Sequence, residues 1–284
     1  MIRFIPAPQY ESGFDDDASP PWAVLGLDRW RRVMLTHPEH LKLKSTDEDI
    51  VCADFEDDYH HQVPHQRVVR LDNSGKIGSA RIHAYHGLVI KATLRVTVYP
   101  LKTVRINLFR IVRGSTNRAP SFSLAQGAEV VTGMNAIYRP QCRIRFAVHL
   151  RVDDISLDVD FATTDQSSRK QDRIWEEVDK LRKKYDNADS HLNVFCVSKW
   201  GARDHACKRR HCHKKARNVI GTSHDNLCIV EDMNSLQKRI LLMAHELGHS
   251  LNASHDEDHE GALMYPHLNG GDKILRATVK EIRD

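Results

Sequence analysis

His245 and His249 stand four residues apart in the run His-Glu-Leu-Gly-His-Ser-Leu-Asn-Ala-Ser-His-Asp, residues 245–256. On an α-helix that spacing puts both imidazoles on one face, one turn apart. Two neutral rings so placed can hold one zinc ion at about 2.0–2.1 Å each. Glu246, between them, suits a general base acting on a water activated by that ion. His255 lies six residues past His249 and misses that face if the helix simply continues. If the helix ends near Asn252 and the chain turns back, His255 becomes a third ligand and a fourth position stays open for water. A surface helix with two histidines is the bland reading of the first five residues; a third histidine at this spacing argues against it.

The stretch resembles the metzincin zinc-binding motif, His-Glu-x-x-His-x-x-Gly-x-x-His, and Asp256 after the last histidine resembles the reprolysin (adamalysin-like) branch. Asn252 stands where the family has Gly. After Gly, Asn is the residue that best tolerates a left-handed backbone. Downstream, Ala262-Leu-Met264-Tyr265-Pro266 resembles the family's Met-turn, in which a methionine packs beneath the zinc histidines. Elsewhere a lone Met is more often core filler.

The resemblance implies one catalytic Zn2+ on His245, His249 and His255, with Glu246 as base. It also implies that Met264, Asn252 and Asp256 support the site, Asp256 without ligating the metal. Some branches use a tyrosine two residues past the Met as an extra ligand. Tyr265 follows Met264 at once, so that role is not carried over. His259 and His267 lie off the motif and read as surface residues. The activity implied is a zinc-dependent endopeptidase, hydrolysing peptide bonds through a zinc-activated water, with a protein or peptide as substrate. The alternative is a zinc-stabilised binding protein without protease activity, meeting an anionic partner through the basic 199–217 segment. Glu246 favours the enzyme, because a purely structural zinc has no use for a base beside an open position.

A chain of 284 residues, 40% apolar and 28% charged, suits a soluble globular protein of one large or two modest domains. No run of about 18 apolar residues exists, so no spanning helix and no membrane partner are expected. The start, Met1-Ile-Arg-Phe-Ile-Pro-Ala-Pro, lacks the apolar core of a secretory signal. A cytoplasmic location is therefore the expectation, although metzincins are commonly secreted. The net charge is only +4. Six cysteines (Cys52, Cys142, Cys196, Cys207, Cys212, Cys228) neither require nor exclude disulfides.

The expected fold class is α/β (α+β). It comprises a metzincin-like catalytic domain over 103–284, with a twisted mixed sheet, zinc helix and Met-turn, behind a small β-rich N-terminal region. Residues 1–65 read as an irregular, solvated lead-in, with a short helix over Asp28–Leu35. A sharper reading makes this lead-in a propeptide-like segment whose Cys52 or histidines cover the zinc. Residues 66–100 form a small β unit: Arg67–Leu71, Ala80–Tyr85 and Leu88–Tyr99 are strand-like, and Asp72-Asn-Ser-Gly75 is a turn.

Thr103–Val112 alternates as a strand, and Ser123–Tyr138 has helical spacing that Pro140 stops. Cys142–Leu150 is the next strand. Residues 166–187 form a charged helix with Ile174, Val178, Leu181 and Tyr185 inward. His191–Val197 and Asn226–Glu231 are strands. The zinc helix follows an Asn234 or Ser235 cap, and a closing helix over Lys273–Arg283 turns Ile274, Ala277 and Ile282 inward. This strand-helix-strand order is α/β in type.

Lys199–Arg217 holds eight Lys/Arg and three His, with Cys207 and Cys212 five positions apart. A second metal site there has crowded ligands and no partner Cys pair. Nucleic acid is disfavoured, because only Trp200 interleaves the charge. A solvated loop before the sheet's edge strand is the favoured reading. No feature of the sequence fixes an oligomeric state.

Overall fold

A computed structural model describes residues 2–7, 12–27, 29–37, 39–56, 65–113, 120–121, 123–157, 168–185, 191–198, 221–266 and 271–283. The chain divides into two compact units. One comprises Met1–Lys102, Ile137–Arg145 and Lys273–Arg283; the other comprises Thr103–Ala136 and Phe146–Asp272.

The first unit is a β-sandwich. Its strands are β1 (Phe4–Pro6), β2 (Phe14–Asp15), β3 (Trp22–Gly26), β4 (Trp30–Thr36), β5 (Lys42–Ser45), β6 (Val51–Phe55), β7 (Gln66–Asn73), β8 (Gly78–His86) and β9 (Val89–Tyr99). One sheet runs β1-β4-β7-β6 and the other β2-β3-β9-β8-β5. Val33, Leu35, Val69 and Leu71 from one sheet share a core with Leu25, Ile82, Leu94 and Val96 from the other. Burying such alternating faces is what two packed sheets require.

The described residues of 1–65 are therefore not an irregular lead-in, and 29–35 is not helical. β4 alternates with period two, burying Arg31, Val33 and Leu35. The alternation is disguised because a cation holds a core position. The Arg31 guanidinium is buried by donating to the carbonyls of Ser12 (2.6 Å), Gly13 (3.0 Å) and Val24 (2.9 Å). Such pairing makes a buried charge tolerable. Cys52 lies on β6 in this unit, its thiol donating to the Glu48 carbonyl; His60 and His61 lie outside the described residues.

The second unit is mixed α/β. Its elements are β10 (Lys102–Arg113), α1 (Leu124–Cys142), β11 (Ile144–Leu157), α2 (Ser168–Tyr185), β12 (Leu192–Val197), β13 (Gly221–His224), β14 (Leu227–Glu231) and α3 (Leu236–Ser250). The first residue of β10, the end of α1 and the start of β11 fall in the other unit. The sheet order is β11-β10-β12-β14-β13. β10, β12 and β14 are parallel, and β13 runs antiparallel to β14 at the edge. Every residue of β12 is buried, as expected for a parallel strand covered on both faces. On one face Phe109 and Phe195, neighbours in register, stack at 4.8 Å above Ile174 and Val178 of α2. α3 packs against β13 and β14.

Three local expectations fail. α1 runs past Pro140 to Cys142, since a proline in a last turn removes only one hydrogen bond. The helix ends instead at Arg143, whose φ is 57°. The closing helix, α4 (Arg276–Arg283), lies in the first unit, starts three residues later than expected and leaves Ala277 exposed. Its inward residues are Thr278, Val279 and Ile282. In α2, Ile174 and Val178 are buried but Tyr185 is exposed. The basic segment 199–217, with Cys207 and Cys212, lies outside the described residues; Cys52, Cys142, Cys196 and Cys228 are free thiols.

Phe195 has no exposed surface and carries the stack beneath the sheet. Phe195→Ala should destabilise the protein by about 3–5 kcal/mol in urea unfolding. A loss below about 1 kcal/mol would mean the stack is not a packing centre.

Candidate metal centre

α3 begins where Ser235, in an extended conformation, accepts the Lys238 N–H at 3.2 Å, an N-cap that stops the preceding chain from continuing the helix. Ile240, Leu241, Ala244, Leu247 and Gly248 are buried along it. Gly133 of α1 admits Ile240 closely: a Cβ there would lie 2.7 Å from the Ile240 Cγ1.

The helix ends in a two-bond lock. The Asn252 N–H donates to His249 O (2.9 Å), and the Ala253 N–H donates to Gly248 O (2.9 Å). Asn252 has φ 71°, the left-handed conformation that this Schellman arrangement needs. The chain therefore doubles back. Its first product is the Ala253 carbonyl, which accepts the His249 Nδ1–H at 2.8 Å. Its second is His255, brought to the face that carries His245 and His249.

The three rings converge through Nε2. His249 Nε2 lies 3.2 Å from His245 Nε2 and 3.0 Å from His255 Nε2. The other nitrogen of His245 donates to the Leu263 carbonyl at 2.8 Å. A carbonyl only accepts, so Nδ1 carries the hydrogen in both helical histidines. Their Nε2 atoms then face each other as bare lone pairs, an arrangement that repels unless a cation sits among them. Four-coordinate zinc with bonds of about 2.0–2.1 Å separates its nitrogens by about 3.3 Å. The donor set, its neutrality and its spacing thus fit a divalent metal.

Burial holds His245 and His249 neutral, whereas His255 is exposed. It lowers the His245 pKa to about 4, its histidine neighbours adding to the effect and the Leu263 hydrogen bond opposing it. Burial likewise lowers His249. The same desolvation raises Glu246 to about 8. Its carboxyl lies against the first residue of the edge strand, where a Cβ on Gly221 would sit 2.6 Å from Oε1 and 2.8 Å from Cδ.

Met264 is buried, and its carbonyl accepts the Asp256 N–H at 2.9 Å. Asp256 Oδ1 accepts from the N–H groups of Asp258 (3.2 Å) and His259 (3.1 Å) and meets His259 Nδ1 at 2.9 Å. His259 is exposed, as expected, and is tied into this turn by Asp256; His267 lies outside the described residues. The sequence reading missed the Leu263 and Ala253 carbonyls, because any residue type supplies that acceptor. It also missed Gly133 and Gly221. A glycine inside a helical run does signal close approach, so Gly133 was within reach.

Residues 124–256 match the family described as metallo-peptidase family M12B, reprolysin-like. Over this segment the chain is similar to reprolysin-like metallopeptidases. The matched span begins with α1 and ends one residue after His255, so it contains all three histidines and Glu246. Reprolysin-like proteins are metallopeptidases, which act on proteins or peptides. No curated protein matches the chain. Solved structures with partial likeness include S-layer protein SbsC domains 4 and 5. That likeness has 12% identity and TM-score 0.23, covering 27% of this chain and 46% of that one. SbsC domains 1–6 give 12% identity and TM-score 0.26, covering 37% of this chain and 13% of that one. The chain thus spans less than half of either, and these likenesses carry no argument.

Two tests follow from the reprolysin-like geometry. Asn252→Gly should leave stability within about 1 kcal/mol, whereas the β-branched Asn252→Val should lose about 1–2 kcal/mol at a left-handed position. Equal stabilities in thermal melts would mean the turn is built otherwise. For His245 the folded-state pKa is depressed below 6.5, so its contribution to stability is present above that value and lost as pH falls through about 4. In the metal-free chain its ring protons should shift by NMR near pH 4; a midpoint near 6.5 would mean the ring is solvated.

Proposed function

We propose that the second unit is a zinc-dependent endopeptidase. The observation that carries the reading is the convergence of three imidazole Nε2 atoms, two fixed as lone-pair donors by backbone carbonyls, on the helix that bears Glu246. A zinc ion held by three neutral imidazoles keeps its full charge, polarising a peptide carbonyl and acidifying water.

His245, His249 and His255 would hold that ion. Glu246 takes a proton from the attacking water and passes it to the departing amine. It must be ionised to accept that proton, and a cation held by the three histidines would offset the burial that raises its pKa. The Asp256 N–H to Met264 carbonyl bond ties the backbone of the histidine loop, and Met264 would pack beneath the histidines, the Met-turn role that the family resemblance implies. Among the described residues β13 ends the sheet order, so its outer edge can pair with an extended peptide. Gly221, at the start of that strand, brings the peptide's path close to Glu246.

Glu246→Gln should keep zinc while losing about 10²–10⁴-fold in turnover of a peptide library. A chelator should abolish wild-type cleavage, and added zinc should restore it. Unchanged proteolysis by Glu246→Gln would place the base elsewhere. Failure of the wild type to take up zinc, with metal content indifferent to His245→Ala, would sink the metal reading altogether.

A further inference from the structure

The tip of the β8–β9 hairpin exposes three consecutive apolar side chains. Leu88 is 99% exposed, Val89 56% and Ile90 48%. Nothing lies within 4 Å of where a Cβ on neighbouring Gly87 would be, so the tip projects as a convex point. Three large apolar residues in a row at an exposed turn have no use in the sandwich, whose core is already closed by Ile82, Ala84, Leu94 and Val96.

The three strands beside the tip carry charge of one sign, and exposed Glu39, three residues before β5, meets His65 at 3.2 Å. β5, β8 and β9 contain Lys42, Lys44, Arg81, Lys91 and Arg95 and not one Asp or Glu. Alternation sorts them. Ala80, Ile82 and Ala84 are buried, so Arg81, His83 and Tyr85 point the other way. Their register partners are Arg95 across from Arg81, Lys44 across from His83 and Lys42 across from Tyr85. Directly opposed residues share a face, so the outer face of this sheet carries four cations, two of them facing each other. Like charges opposite one another cost stability, and an anion bound from outside would offset that cost.

We propose that this face of the sandwich docks on an anionic lipid bilayer, with Leu88, Val89 and Ile90 entering the interface and the sheet's cations meeting lipid headgroups. A fluid acyl layer accepts a convex apolar point without a matching pocket, which a protein partner would have to supply. Basic residues beside a shallow apolar insertion are the pairing that binds peripheral proteins to anionic leaflets. The absence of a spanning run in the sequence does not bear on this, because an interfacial tip needs only a few residues.

The test is co-sedimentation of the full chain with phosphatidylcholine vesicles, with and without about one third phosphatidylserine. Binding should require the anionic lipid and weaken as salt rises. Leu88→Ser with Ile90→Ser should cut binding at least tenfold, and Lys42→Gln and Lys44→Gln should each cut it by about fivefold. All four positions are at the surface, and unchanged thermal melts would show that the fold is kept. The Leu88→Trp variant should emit at shorter wavelength on these vesicles and not with heparin, a soluble polyanion. No binding to the anionic vesicles, equal binding to phosphatidylcholine alone, binding indifferent to the serine pair, or an emission shift of the Leu88→Trp variant with heparin alone would each overturn the proposal. None of these readouts depends on peptidase activity.

Discussion

Three histidines can share one cation only if the chain reverses within the few residues that separate the second from the third. That reversal rests on one backbone angle. Asn252 at φ 71° lets its own N–H close on His249 and the next N–H close on Gly248, terminating the helix without leaving its last carbonyls bare. The same turn delivers the Ala253 carbonyl to His249 and His255 to its place. Helix termination, ring tautomer and the place of the third histidine are consequences of a single left-handed residue. A β-branched side chain there would strain all three at once.

The surrounding architecture serves a second requirement, which is dryness. The neutral rings of His245 and His249 and a carboxyl held near neutrality all demand removal from water, and the structure provides it where α3 packs against β13 and β14. The helices come close at Gly133, and Glu246 comes close to the edge strand at Gly221. At both positions a missing side chain is the structural device. The burial that lowers His245 to about 4 is also what raises Glu246 to about 8. One environment prepares the ligands for a cation and leaves the carboxyl in need of one.

Legibility in the sequence followed the range of the interactions. His245, His249 and His255 were readable because helical spacing and a short return are local geometry, and the strand–helix order over β10 to α3 was readable because hydrophobic periodicity is local too. The sandwich was hidden where its pattern depends on distant partners. Arg31 reads as a surface residue until the carbonyls of Ser12, Gly13 and Val24 are placed around it. β2 has two residues and β1 has three, too few for any period to show. The Leu263 carbonyl that orients His245 comes eighteen positions later in the chain, and no residue type marks it. Pro140 misled for the opposite reason: its rule is local, but its cost depends on how much helix follows.

The two units also divide the kinds of order that a sequence can encode. The mixed sheet is specified by long apolar strands whose only stable placement is between helices, so its topology follows from its hydrophobicity. The sandwich is specified by short strands with one buried face each, and the other face is free to vary. What that free face carries shows as composition rather than as periodicity. Arg81 opposite Arg95, and Leu88 fully in solvent, do nothing for the core a strand's width away. Residues that a fold does not need, and that cost it stability, are best explained by something outside the fold.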